Sequence, residues 1–395
     1  MRCYICSSEI TSKNRSCEHV FLNAIGGRLK SRNLICKSCN DRFGEEIDNS
    51  LANQLSFFST LLNVKRDRGT PQPVLAVTHS GRRLLVKPSG GMSLSKPEIP
   101  SQGADGGING EIKARTIREA KQILLGLAKK NPRIDVEKSL KNARNESEYL
   151  YEGAVFRLDF GGQSAFRALC KMATNFYMLQ GGDRSNIEGV LPFIQYGTGN
   201  NPGNFYYPEH QTIIPKKTNE VVHAIILVGD PSQRILCSYI ELFSALHFVV
   251  ILNNTYEGDV VNSSYIFDIL EGKQIARESH MVIDRTELEH VIHGQPNYVP
   301  KLEAEIAKLT PVIQAKQQRE YMENLIRQSL DELNRKYPTG TLMTEEIARQ
   351  ATGDLMKRLS PYLSHLVRIN QQKSINVDIP YTPSGKPSIR QDGNH

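Results

Sequence analysis

Among its 395 residues the chain has no apolar run approaching the roughly 18–20 residues that a bilayer crossing needs, so no membrane span is expected. Its opening residues, MRCYIC, hold no apolar stretch of the kind that directs secretion, so no signal peptide is expected either. The seven cysteines are an odd number, and Cys17, Cys170 and Cys237 stand scattered. That fits a reducing, cytoplasmic setting better than a disulfide framework. The glycine-rich stretch QGADGGING (102–110) lacks the Gly-Lys-Ser/Thr of a phosphate-binding loop, so no nucleotide site is read there. No internal repeat, Ser-His-Asp set or nucleophilic-cysteine arrangement can be traced. What is left is a globular composition, 39% apolar and 23% charged, long enough for two or three domains.

The informative stretch is Cys3 to Asp48, CYICSSEITSKNRSCEHVFLNAIGGRLKSRNLICKSCNDRFGEEID. Its two Cys-x-x-Cys pairs, Cys3/Cys6 and Cys36/Cys39, are what a tetrahedral zinc site needs, because each pair sits on a tight turn that aims both sulfurs at one ion. Twenty-nine residues separate Cys6 from Cys36, more than a plain zinc ribbon uses, and they carry Glu18-His19 and Asn33. The net charge of +7 is also concentrated here: residues 1–68 hold eleven Lys/Arg against seven Asp/Glu. Within 28–42, Arg28, Lys30, Arg32, Lys37 and Arg42 face only Asp41. Taken alone, those charges read as a solvated loop. Beside a metal motif they suggest a polyanionic partner such as nucleic acid, whose phosphates release counterions on contact.

The fold class expected is α+β: a zinc-stapled module (1–62), a β-hairpin and helix connector (63–149), a larger mixed α/β domain (150–372), and a disordered tail (373–395). In the module, strands are read at 16–22 and 32–36 around the turn at Gly26-Gly27. A helix follows from Asn40 to about Leu62, with apolar residues Phe43, Ile47, Leu51, Leu55, Phe58 and Leu62 in steps of three and four. So small a unit needs its metal to hold a core.

In the connector, β-prone runs flank a turn at Ser80-Gly81, and Thr116-x-x-Glu119 reads as a capping box opening a helix to Asn131-Pro132. Later, VFRLDF (155–160) reads as a strand, and VVHAIILVGD (221–230), RILCSYIEL (234–242) and HFVVIL (247–252) read as strands of a mixed or antiparallel sheet. Ser164 is read as the cap of a helix ending at Gly181-Gly182. The segment YGTGNNPGNFYY (196–207) reads as a surface loop, with a substrate-contacting loop as the alternative. Pro300 opens a helix read as stopping at Pro311, a second runs on to about Lys336, and another covers Thr344–Leu359. His290-x-x-His293 with Glu287 has ligand-like spacing, but the pattern is short and common and is not read as a metal site.

A Cys pair, then Glu-His, a Gly pair, Asn-Leu, a second Cys pair followed at once by Asn, and then Phe-Gly and Asp, together resemble the HNH endonuclease family. The resemblance is to the zinc-containing branch of the ββα-metal nucleases, in its HNN-type variant, over residues 3–50 only. It implies that His19 is the general base, a role that an imidazole pKa of about 6.5 suits near neutrality. It implies that Glu18 and Asn40 hold a catalytic Mg²⁺ or Mn²⁺, separate from a structural zinc on Cys3, Cys6, Cys36 and Cys39. Asn33 matches the residue that braces the loop carrying the base. Asn23 and Asp48 recur in the pattern without an assigned role, and Leu22 stands where many relatives have proline. An Asn at a helix start also serves as an N-cap, and that alternative stays open for Asn40. Cys17 reads as a small core residue, because strand alternation turns it away from Glu18.

The function implied is a metal-dependent DNA endonuclease hydrolysing phosphodiester bonds, with Arg28, Lys30, Arg32, Lys37 and Arg42 contacting nucleic acid. RNA as a substrate and a homo-oligomeric state stay open. The family's habits suggest a setting such as defence against foreign DNA. The competing expectation is a non-catalytic zinc module that binds nucleic acid under a regulatory C-terminal domain. Glu-His followed at the right interval by Asn favours the nuclease.

Overall fold

The structure is a computed structural model describing residues 1–395 apart from 101–109, 145, 147, 216, 218, 282, 293–297, 371–376 and 379–395, with the backbone alone at 369–370 and 377–378. The glycine-rich loop up to residue 109, His293, and the tail 373–395 apart from 377–378 therefore lie outside the described residues.

In chain order, the first elements are β1 (Glu18–His19), β2 (Lys30–Ser31), α1 (Lys37–Phe43), α2 (Asn49–Gln54) and α3 (Ser56–Leu61). Next come β3 (Val74–Thr78), β4 (Arg83–Val86), β5 (Met92–Leu94), α4 (Ile117–Lys130), α5 (Val136–Lys141) and β6 (Ala154–Arg157). The middle holds α6 (Gly162–Leu179), α7 (Leu191–Tyr196), β7 (Gly203–Phe205), β8 (Ile213–Ile214), β9 (Val222–Asp230), β10 (Ile235–Leu242) and β11 (Leu246–Asn253). Then follow β12 (Val261–Asp268), β13 (Lys273–Gln274), β14 (Glu278–Ser279), α8 (Arg285–Ile292), α9 (Tyr298–Lys336), α10 (Glu345–Asn370) and β15 (Val377–Asp378). The chain forms two compact units that divide it differently from the expected boundaries at 62 and 149. One joins Met1–Gln72 to Leu158–Ala315, and the other joins Pro73–Arg157 to Lys316–Asp378.

The first unit is built on an antiparallel sheet of order β13-β12-β9-β10-β11-β7. Every residue of β10 is buried, because both faces of the sheet are covered. On one face Ile226, Tyr239 and Val249, aligned across β9, β10 and β11, pack with Leu288 and Val291 of α8. On the other lies α6, whose Phe166 meets Phe205 and Phe248 edge to face. Strands β9, β10 and β11 fall where the apolar runs placed them. The segment 196–207 corrects its expectation: its second half is β7, paired with β11 through Phe205 and Phe248, and Tyr206 and Tyr207 are buried. The aromatics outweigh the turn-prone Gly and Asn once a partner strand supplies hydrogen bonds.

The expected single helix after the second cysteine pair is broken into α1, a π-helical turn at Gly44–Asp48, α2 and α3. Its apolar stripe is nonetheless buried throughout. Steps of four overshoot a 3.6-residue turn by about 40° each, and the wider π turn absorbs that drift so that Phe43, Ile47 and Leu51 stay on one face. The cap of α6 is Gly161, not Ser164. Gly161 sits at φ 123°, and its backbone N–H and C=O are both bonded to the Gln54 side chain. Helix α9 passes through Pro311 instead of stopping there, with Leu309 and Ile313 buried on either side of the proline. One lost hydrogen bond is outweighed by two buried apolar anchors.

The second unit carries the sheet β15-β6-β3-β4-β5. Its β3–β4 hairpin turns where expected, with Gly81 at φ 84°. The Thr116 cap on α4 is formed, its Oγ accepting from the Glu119 N–H at 3.1 Å. Tyr149, Tyr321, Tyr362 and His365 make a ring cluster in this unit.

Candidate active site

Cys3 and Cys6 lie on a turn closed by the Ser7 N–H donating to Cys3 O at 2.8 Å. Cys36 is the N-cap of α1, and Cys39 lies in that helix's first turn. The four Sγ atoms lie within 4.8 Å of one another, with Cys6 and Cys36 3.6 Å apart. Zn–S bonds of about 2.3 Å in a tetrahedron place the sulfurs about 3.8 Å apart, so this donor set fits one zinc ion. Cys17 corrects its expectation: it is exposed. Alternation does turn it away from Glu18, but β1 is so short that this side meets solvent instead of a core.

Strands β1 and β2 pair antiparallel, Glu18 opposite Ser31 and His19 opposite Lys30. They are shorter than the runs at 16–22 and 32–36 suggested, and the second begins earlier, at Lys30. The turn between them requires its glycines. A Cβ on Gly27 would lie 1.9 Å from Phe21 O, and one on Gly26, at φ 93°, would lie 2.4 Å from Val64 Cγ1.

Alternation sends Glu18 inward, where it is 3% exposed, and leaves His19 half-buried at the surface. Inward, Glu18 meets α6. Lys171, fully buried, places its Nζ 2.5 Å from Glu18 Oε1 and 2.7 Å from Asp48 Oδ2. Asn175, one helical turn on, donates to Glu18 Oε1 at 2.7 Å and to His19 O at 3.2 Å, while its own Oδ1 accepts from the Tyr4 hydroxyl at 2.6 Å. Arg167 precedes them by one turn and reaches Glu46 at 3.3 Å. These i, i+4 residues make one polar face of α6, opposite the face on the sheet. Burial works against the Lys171 charge, but Glu18 and Asp48 outweigh it and raise the ammonium pKa. Burial likewise lifts the Asp48 carboxyl to about 6, with Lys171 pulling the other way. The module's turn is held to the sheet by His223, whose ring stacks on Phe21 at 5.2 Å. Its Nε2 bonds to Ile25 O at 2.9 Å, and its Nδ1 accepts from the Phe243 N–H at 3.2 Å.

Outward, His19 meets Asp67. Nε2 lies 3.3 Å from Asp67 Oδ2, which also accepts from Lys30 Nζ at 2.8 Å, and Arg28 pairs with Oδ1. Hydrogen bonds from Lys30 and His19 lower the Asp67 pKa to about 2. Arg28 and Lys30 thus converge beside His19. Arg32 is exposed, Lys37 pairs with Asp41, and Arg42 lies 5.0 Å over the Phe43 ring.

Asn40 stands in the fourth position of α1, so it is not that helix's N-cap. Its Nδ2 donates to Ser16 Oγ at 2.6 Å and to Cys17 O at 3.3 Å, which leaves Oδ1 as the atom able to hold a cation. Asn33 is exposed in the bend after β2, its backbone N–H donating to Ser31 Oγ at 3.2 Å. Glu287, of the spacing with His290, is bonded to the Tyr206 hydroxyl at 2.9 Å.

The sequence reading missed Lys171, Asn175 and Asp67. The only signal for the first two is their i, i+4 spacing, continued back to Arg167, along a largely apolar helix. Asp67 carries none beyond being the single acid in VKRDRG. Among the described residues no helix is long and apolar enough to cross a membrane. No curated protein and no solved structure matches the chain. A family model described as HNH endonuclease does match, over residues 3–56 only, and that similarity of the segment points to nuclease activity on a nucleic acid.

Proposed function

We propose that the protein is a metal-dependent DNA endonuclease whose cutting centre is built on β1 and α1. The observation that supports it most is the half-exposed His19 on the family-matched segment, flanked by Arg28 and Lys30 and framed by four convergent cysteines. Arg28 and Lys30 would seat the scissile phosphate. The neutral His19 imidazole would take a proton from water, the resulting hydroxide would bond to phosphorus, and the P–O3′ bond would break. A bound Mg²⁺ or Mn²⁺ supplies charge stabilisation at the phosphate and the leaving oxygen, and Glu18 with Asn40 Oδ1 would hold it. The four cysteines would hold zinc in a purely structural role, since four thiolates leave no open position.

One observation favours a second reading, a zinc module that binds nucleic acid without cutting it. Glu18 Oε1 is already committed to Lys171 and Asn175. Plasmid cleavage in Mg²⁺ or Mn²⁺ separates the two. The nuclease reading expects nicking that His19→Ala abolishes while zinc stays near one per chain. Undiminished cleavage in that variant removes His19 from its role. DNA binding without cleavage in either metal establishes the second reading.

A further inference from the structure

Asp67 lies outside the family-matched segment, yet its carboxylate faces the one imidazole that the proposed chemistry uses. Between Arg28 and Lys30 that carboxylate stays ionised, and an ionised carboxylate only accepts hydrogen bonds. The hydrogen between Asp67 Oδ2 and His19 Nε2 therefore belongs to the ring. That fixes the Nε2–H tautomer and leaves the lone pair on Nδ1.

The segment bearing Asp67 is fastened to the same frame as His19. The Asp67 N–H donates to Asn23 Oδ1 at 2.8 Å, and Arg28 Nη2 donates to Lys65 O at 3.1 Å. Val64 is buried beneath Gly26. Asn23 and the glycine pair, which recur in the motif, thereby gain a physical role, holding the acidic segment in register with the strand that carries the base.

We propose that Asp67 is a positioning residue for the proposed hydrolysis, setting the tautomer and orientation of His19 so that Nδ1 is the atom that accepts the proton from water. The inference rests on the nuclease reading. Asp67 touches neither substrate nor ion in this role; it acts through His19, as the acid of an acid–imidazole pair does in other hydrolases. Its second effect runs the other way. By neutralising Arg28 and Lys30 it weakens their pull on phosphate, so its removal raises affinity for DNA while lowering the rate.

The test uses the full zinc-loaded chain and the substitutions Asp67→Ala, Asp67→Asn and Asp67→Glu, with zinc content and melting temperature as controls for folding. Long-range ¹H–¹⁵N spectra of the unaltered protein should show His19 as the Nε2–H tautomer, and Asp67→Ala should lose that preference. Single-turnover cleavage by Asp67→Ala should fall about 10- to 100-fold, with DNA affinity equal or tighter, and Asp67→Glu should recover part of the rate. An Nδ1–H tautomer in the unaltered protein overturns the proposal. So does a cleavage rate in Asp67→Ala within about threefold of the original. A rate and an affinity that both rise would mean that Asp67 blocks the phosphate position, which also overturns it. A chain that binds DNA and never cuts it overturns the nuclease reading and the catalytic role together. The tautomer spectrum, which needs no turnover, still reports in that case whether the Asp67–His19 pair exists.

Discussion

Replacing Lys171 with methionine removes the only cation within hydrogen-bonding reach of Glu18, a buried carboxylate, and Asp48, a half-buried one, among the described residues. Lys171 is fully buried, Glu18 is 3% exposed, and Asp48 Oδ1 already lacks a partner. Breaking a buried ion pair by deleting one partner costs about 3–5 kcal/mol, because the remaining charge stays out of water. Here one ammonium serves two carboxylates, so the upper part of that range is expected. The methionine keeps the volume of the lysine stem, which removes a cavity from the account. For a unit of this size about 4 kcal/mol corresponds to a fall in melting temperature of roughly 8–16 °C. Urea unfolding of the zinc-loaded chain should show the midpoint move with little change in slope. Adding Glu18→Gln and Asp48→Asn to Lys171→Met should recover most of the loss, since a triad removed whole leaves no orphan charge. A loss below about 1 kcal/mol in Lys171→Met would refute the reasoning, because it would mean the carboxylates reach water or another cation without the lysine.

Three further outcomes follow from the same geometry. Cys36→Ser should abolish zinc retention and unfold the first module, because structural zinc contributes on the order of 10 kcal/mol to such folds; metal analysis and limited proteolysis read this, and normal melting would remove the zinc assignment. His223 is buried with its pKa lowered to about 4, so the unfolded chain takes up its proton first as pH falls. Its contribution is fully present above about pH 6.5 and is lost toward pH 4, amounting to about 3 kcal/mol, and His223→Gln should flatten that part of a stability–pH curve. Gly27→Ala should destabilise the module severely, since its Cβ would meet Phe21 O at 1.9 Å, whereas Gly44→Ala, with nothing within 4 Å, should be neutral or slightly stabilising by thermal melting.

The sequence by itself determined the features whose signals are local. Two Cys-x-x-Cys pairs specify a four-sulfur cluster because each pair is fixed by its own turn, and the fold needs only to bring two turns together. Unbroken apolar runs fixed β9, β10 and β11, and the stripe from Phe43 to Leu62 marked its buried face even though the helix is interrupted. The adjacency of Glu18 and His19 fixed that they would point to opposite sides, once they lay on a strand.

Tertiary structure alone decided what each of them meets. Lys171 reaches Glu18 across 153 residues and Asp48 across 123, and no periodicity or motif records such a pairing. Asp67 reaches His19 across 48 residues, through a turn that only Gly26 and Gly27 permit. A buried carboxylate needs a cation wherever the chain can deliver one, and the sequence carries the charge but not the address. For the same reason β7 lies in a segment that reads as a loop: its strand exists because β11 offers hydrogen bonds, and that offer is made only in the folded chain.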